Sequence, residues 1–185
     1  MIKDLMKNTE GRMKKTIEVL EDQLRSIRTG RASPALVERV MVEYYGVPTP
    51  LNQLAVISAP EPQLLTIRPY DPSSLEAIER AIMSSDLGLN PSNDGKIIRL
   101  VIPSLTQERR EELVRMVNRR VEEAKVALRN IRREALEKLR EMEKEKEISE
   151  DDFFRARDDL QDLIDRYAEE AEGLGKRKSR EVLEV

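Results

Sequence analysis

Residues 114–142 read VRMVNRRVEEAKVALRNIRREALEKLREM. Apolar side chains recur at Val114, Val117, Val121, Ala124, Leu128, Ile131, Ala135, Leu139 and Met142, in steps of three and four. That period places them on one face of an α-helix and leaves the charged residues on the others. Starting after Pro103, the pattern predicts one helix of about forty residues, roughly 60 Å long at 1.5 Å per residue.

A helix with so thin an apolar stripe cannot bury it alone, so partners are required. Residues 2–28 carry a matching stripe at Met13, Ile17, Leu20, Leu24 and Ile27. A third runs through Leu160, Leu163, Tyr167, Ala171 and Leu174, preceded by Ser149 with Asp152 three residues on, which reads as a capping box. Three seams of similar width predict a three-helix bundle made of residues 1–29 and 105–185. In the third helix, Gly173 and Gly175 read as a weak point, because an interior glycine costs about 1 kcal/mol relative to alanine.

Between the first seam and the second the pattern changes. From Val40 to Tyr44 the chain turns β-branched and aromatic, and Gly46, Pro48 and Pro50 break it into short runs. Further apolar runs cover 54–57, 64–67 and 97–102, bounded by turn residues. Asp71 as N-cap and Pro72 at the first helical position predict one helix ending near Gly88. Residues 30–104 therefore read as a small β/α/β domain inserted into the bundle, and the fold class as α+β. The insertion hangs on two chain crossings, which predicts a hinge at Thr29, Gly30 and Arg31 on one strand and Pro103, Ser104, Leu105 and Thr106 on the other. Of Tyr44 and Tyr45, strand alternation predicts that one ring packs and the other faces out.

Composition narrows the function. Charged residues make up 37% and aromatics 3% of 185 residues, which suits long solvated helices better than a thick interior around a pocket. There is no histidine and no cysteine, so the usual acyl-transfer and zinc constellations are absent. Paired carboxylates such as Asp151-Asp152 read as solvated positions at a helix start. Gly173-Leu174-Gly175-Lys176 lacks the first glycine and the preceding strand of a phosphate loop. We expect no enzyme, no metal and no cofactor, and any nucleotide hydrolysis to belong to a partner. The charged start Met1-Ile2-Lys3-Asp4 and the lack of a run near ~18 apolar residues predict a soluble, cytoplasmic protein, and separately we expect a monomer.

Net charge is −3, but it is unevenly spread: +2 over residues 1–30, −2 over 31–104, +2 over 105–145 and −5 over 146–185. Binding to a polyanion therefore needs a local basic face. The long helix supplies one. At 100° per residue, with Leu128 at the origin, Lys125, Arg129, Arg132, Arg133 and Arg140 fall between about 40° and 140°, while Glu123, Glu134, Glu137 and Glu141 fall between about 180° and 240°, although Glu122 at about 120° intrudes on the basic flank. Between Lys125 and Arg133 stand four basic residues and no acidic one, so ion pairing within that stretch is excluded. Several guanidinium forks on one flank suit phosphate oxygens, and structured RNA read by shape fits such a contact. A helical adaptor holding proteins by its seams and acidic tail is the competing reading, and salt dependence separates the two.

Several segments together carry a family resemblance: Arg28-Thr29-Gly30-Arg31-Ala32, Val42-Glu43-Tyr44-Tyr45-Gly46, Pro50-Leu51-Asn52-Gln53-Leu54-Ala55, Ser85-Asp86-Leu87-Gly88-Leu89-Asn90-Pro91, Leu105-Thr106-Gln107-Glu108-Arg109-Arg110 and Arg129-Asn130-Ile131-Arg132-Arg133-Glu134. In order and spacing the chain resembles the bacterial ribosome recycling factors from end to end. The resemblance implies an L-shaped protein that enters the post-termination ribosome and binds large-subunit rRNA through the bundle. It further implies joint action with elongation factor G, on which GTP is hydrolysed, to part the subunits. It places the RNA-contacting arginines at Arg132 first, then Arg129 and Arg133, with Arg28, Arg31, Arg109 and Arg110 contributing near the hinge end. Tyr70, Gln107 and Ile164 depart from the residues frequent in relatives, where tryptophan, glutamate and threonine are expected.

Overall fold

The computed structural model describes residues 1–184, so the last position of the predicted bundle span, Val185, lies outside the described residues. The chain forms two compact units, one of residues 1–29 with 107–184 and the other of residues 30–106.

The first unit is three helices: α1 (Ile2–Arg25), α3 (Gln107–Lys144) and α4 (Glu150–Leu183). The predicted seams are its core. Met13, Ile17, Leu20 and Leu24 of α1 meet Val117, Val121, Ala124, Leu128, Ile131, Ala135 and Leu139 of α3, all buried. From α4 come Phe153, Ala156, Leu160, Leu163, Ile164, Tyr167 and Ala171. Two seam positions shift by one residue: Leu113 is buried where Val114 is half-buried, and Gly175 where Leu174 is half-buried. Ser149 caps α4 by accepting from the backbone N–H of Asp152 at 3.0 Å. The joint from α3 to α4 lacks glycine or proline. Lys146 itself takes the left-handed conformation (φ 60°), and the N–H of Glu147 returns to the carbonyl of Met142 at 2.8 Å, closing the exposed end of α3.

α4 runs unbroken through the expected weak point at Gly173 and Gly175, and packing accounts for Gly175 alone. A β-carbon built on Gly175 would sit 2.5 Å from Cγ2 of Val121, so glycine is what allows α4 to lie this close to α3. Tertiary packing overrides propensity here.

The second unit holds six strands and one helix. β1 (Met41–Tyr44) and β2 (Val47–Pro50) form a hairpin closed by Tyr45 and Gly46, both at positive φ, the two-residue turn that matches strand twist. Tyr44 packs and donates to Asp71 Oδ2 at 3.1 Å, whereas Tyr45 is 81% exposed. One ring packs and one faces out, but turn geometry rather than strand alternation decides it. β3 (Ala55–Glu61), β4 (Leu64–Pro69), β5 (Pro91–Asn93) and β6 (Ile98–Val101) make an antiparallel sheet in the order β3-β4-β6-β5. β2 and β5 have no counterpart among the runs read from sequence. The predicted helix is shorter than expected: Asp71 caps a single 3₁₀ turn, Pro72–Ser74, and α2 spans only Leu75–Met83. Ile78 and Ile82 of α2 are fully buried in one core with Leu65, Ile67, Ile98 and Leu100 of the sheet.

Within this unit the turn between β3 and β4 is bonded to both crossing strands. Ala32 N–H donates to the carbonyl of Pro62 at 2.6 Å, Ile102 N–H to the carbonyl of Gln63 at 2.8 Å, and the Gln63 amide to the Ser104 hydroxyl. Gly30 adopts φ +77° with Leu105 against it.

Candidate RNA-binding face of the bundle

The basic flank of α3 exists because the helix is continuous: thirty-eight residues without a break keep the 100° step in phase from Lys125 to Arg140. Lys125 and Arg132 lie toward α4, where Lys125 pairs with Glu172 and Arg132 Nη1 donates to Gln161 Oε1 at 2.7 Å. Gln161 in turn donates to Asp165 Oδ1 at 2.9 Å, which fixes the orientation of the amide. Arg133 Nη2 donates to Asn130 Oδ1 at 3.3 Å.

The flank is not bare, and Glu122 intrudes on it as its helical phase predicts. Arg129 reaches back seven residues to Glu122 at 3.0 Å, beyond the acid-free stretch, and Glu172 comes from another helix to meet Lys125. Both pairs are open to solvent on at least one side, with Arg129 53% exposed, so they are worth at most about 1 kcal/mol and yield readily to a polyanion. Arg132 and Arg133 differ in kind. Their hydrogen-bond partners are neutral amides, so neither charge is compensated by a carboxylate within 4 Å among the described residues. The Nε of Arg132 is buried and has no hydrogen-bond partner within the protein.

The acidic flank turns to α1. Arg12 Nη1 donates to Glu134 Oε2 at 2.7 Å, and this bond with its charge holds the Glu134 carboxyl below the usual range. Glu172 is lowered in the same way, by its bond to Lys125. Electrostatic sorting around α3 therefore has two sides: glutamates against α1, and arginines toward α4 and solvent.

The seven arginines do not form one patch. Arg109 and Arg110 precede Arg129 by about twenty residues, roughly 30 Å along the axis of α3. Arg109 pairs with Glu112 at 2.8 Å, and Arg110 is half-buried, its Nε also without a partner. Arg28 is half-buried just beyond α1, and Arg31, exposed, belongs to the inserted unit. Gln161, Asp165 and Asn130 complete the setting of the central arginines. Gln161 lies 29 residues from Arg132, and no local pattern marks it.

Among the described residues no helix is long and apolar enough to cross a membrane, and no group of three or more acidic side chains is arranged to hold a metal ion.

Comparison with known proteins agrees with this architecture. Residues 20–183 match the family described as "Ribosome recycling factor". Relatives called ribosome-recycling factor are 56% identical over all 185 residues and the full length of both chains, in Syntrophomonas wolfei and in Roseiflexus castenholzii. A solution structure of a ribosome recycling factor superposes with a TM-score of 0.78 at 43% identity, covering 100% of this chain and 98% of that one. Another solved structure, the Thermus thermophilus ribosome recycling factor described with Escherichia coli elongation factor G on the Escherichia coli post-termination complex, gives 0.67 at 48% identity and covers 99% of both chains. With its three-helix bundle, its inserted sheet domain and full-length identity above one half, the chain belongs to the ribosome recycling factor family.

Proposed function

We propose that this protein binds the post-termination ribosome and, with elongation factor G and GTP hydrolysed on that partner, separates the subunits for reuse. The bundle contacts large-subunit rRNA through the α3 flank, with Arg132 at its centre and Arg129 and Arg133 beside it. Arg28, Arg31, Arg109 and Arg110 contribute separately. The observation that carries this reading is that Arg132 and Arg133 are hydrogen-bonded by Gln161 and Asn130 rather than by carboxylates, leaving oriented guanidinium groups without a direct carboxylate partner for phosphate. A backbone contact of this kind positions the protein without reading base sequence. The protein itself performs no chemistry, works as a monomer in the cytoplasm and needs no cofactor.

The two units bend against each other at Thr29, Gly30, Arg31 and at Pro103, Ser104, Leu105, Thr106. The unit boundaries after Thr29 and after Thr106 support this. Bonds from the β3–β4 turn to Ala32, Ile102 and Ser104 tie the inner parts of both strands to the inserted unit, so the bend is expected toward their bundle ends.

Purified protein mixed with post-termination ribosomes, elongation factor G and GTP tests the reading, with subunit separation followed by light scattering. A fall in scattering that needs every component and is lost with Arg132→Ala is the expected result. No separation in the complete mixture would overturn it.

A further inference from the structure

The outward side of α1 carries features that the bundle does not use. Gly11 sits in mid-helix, exposed, and a β-carbon there would meet nothing within 4 Å. Such a glycine weakens the helix without easing any contact inside the molecule, unlike Gly175 in α4. Around it lies a shallow depression lined by Asp4, Lys7, Asn8, Arg12 and Lys15. Lys3, Lys7, Lys14 and Lys15 are all exposed and fall within about 80° of Gly11 around the helix, opposite the buried stripe.

Charge along α1 is also unevenly spread. Its first part holds Lys3, Lys7, Arg12, Lys14 and Lys15 against Asp4 and Glu10, and its last part holds Glu18, Glu21 and Asp22 against Arg25. The terminal turns themselves suit the helix dipole, with Asp4 in the first and Arg25 in the last, so the excess of cations lies in the body of the helix. Arg12 is engaged by Glu134, and Glu10 is drawn to Arg166 and Tyr167. Lys14 has only a loose contact to Glu10 at 3.9 Å, and among the described residues Lys3, Lys7 and Lys15 have no ion-pair partner. Two features without a use inside the bundle thus meet at one place: an exposed mid-helix glycine and a group of lysines without close ion-pair partners.

We propose that this face, with Lys3, Lys7, Lys14 and Lys15 around Gly11, is a second contact surface for the phosphate backbone of structured RNA. It rests on the rRNA-binding reading above and adds to the α3 flank. The lysines span roughly 18 Å of helix, long enough to follow several phosphates of one strand. Lysine supplies point charges without base selection, and the missing side chain at position 11 lets a sugar-phosphate backbone approach the helix closely.

Binding of the full-length protein to isolated large ribosomal subunits, measured over a potassium chloride series, tests the proposal. Lys3→Gln/Lys7→Gln/Lys15→Gln is expected to weaken binding and to flatten the slope of log K against log salt by about two to three, near one unit for each phosphate no longer neutralised. Gly11→Leu should raise Tm yet also weaken binding, which separates the surface from helix stability. Arg132→Ala serves as the reference. Parental affinity and slope in the triple variant, alongside weakened Arg132→Ala, overturn this surface and leave the α3 site standing. If Arg132→Ala is also unaffected, the rRNA reading itself falls. Weaker binding with an unchanged slope overturns the assignment to phosphate.

Discussion

Gly175 of α4 lies against Val121 of α3 so closely that a single added methyl group would sit 2.5 Å from Val121 Cγ2. Gly173, two residues earlier, meets only the Arg177 guanidinium, at 3.6 Å. Two glycines in one helical turn thus have opposite roles, one set by packing and one by nothing in the fold.

Gly175→Ala is therefore expected to destabilise the bundle by about 1–3 kcal/mol, the usual cost of overpacking, despite alanine's better helix propensity. Gly173→Ala should stabilise by up to about 1 kcal/mol. Urea denaturation of both variants checks the pair. Equal shifts in the same direction would show that the helix crossing relaxes freely.

Arg132→Ala removes an uncompensated guanidinium and its bond to Gln161, and folding should survive. Ribosome affinity is expected to drop by about 1.5–3 kcal/mol, roughly ten- to a hundredfold in Kd. Glycine at this position would mix the loss of charge with a loss of helix propensity, so alanine is the cleaner probe. Gln161→Ala keeps the charge and releases the side chain, so binding should hold at or above the parental level. Filter binding at fixed salt compares them, and weak binding by both variants would assign the effect to geometry rather than charge.

Gly30 has φ +77° and would bring a β-carbon within 3.2 Å of Leu105 Cγ. Gly30→Ala is expected to cost about 1–2 kcal/mol from the left-handed backbone, with the crowding additional. Leu105→Ala in the same chain should relieve only the crowding. Hydrogen exchange at the Ala32 amide, which donates to Pro62, reports on this crossing and should accelerate in Gly30→Ala.

Asp94 closes the turn between β5 and β6, accepting from the backbone N–H groups of Ile97 at 2.9 Å and Lys96 at 3.0 Å and from Arg99 at 3.0 Å. These bonds, the Ile97 amide foremost, lower its pKa from 3.8 to about 2. A carboxyl depressed in the folded state contributes stability above its unfolded pKa and loses it as pH falls through the folded one. The inserted unit should therefore weaken between about pH 4 and pH 2. Asp94→Asn should flatten that limb, as read by denaturation midpoints across the window. An unchanged acid limb would shift the cause to other carboxylates, such as Asp71, which its bonds to Ser73 also hold low.

Periodicity is a short-range property, and what depends on it was legible in the sequence. The step of three and four from Val117 to Leu139 placed the α3 core, and the same phase put Arg129, Arg132 and Arg133 on one flank before any partner was known. β4 and β6, apolar runs with β-branched content, were visible for the same reason. β5, three residues reading Pro-Ser-Asn, is a strand only because β6 lies beside it. The role of Gly175 is invisible without Val121, 54 residues away, and its local propensity points the wrong way. Likewise the neutral bond from Gln161 to Arg132 and the capture of Lys125 by Glu172 depend on which faces of α3 and α4 meet. The sequence by itself determined which elements form and which sides of them are apolar or charged, because φ/ψ preference and side-chain period act over a few residues. Only the tertiary structure decided which charges stay unpaired, because that is fixed by neighbours brought together across the chain.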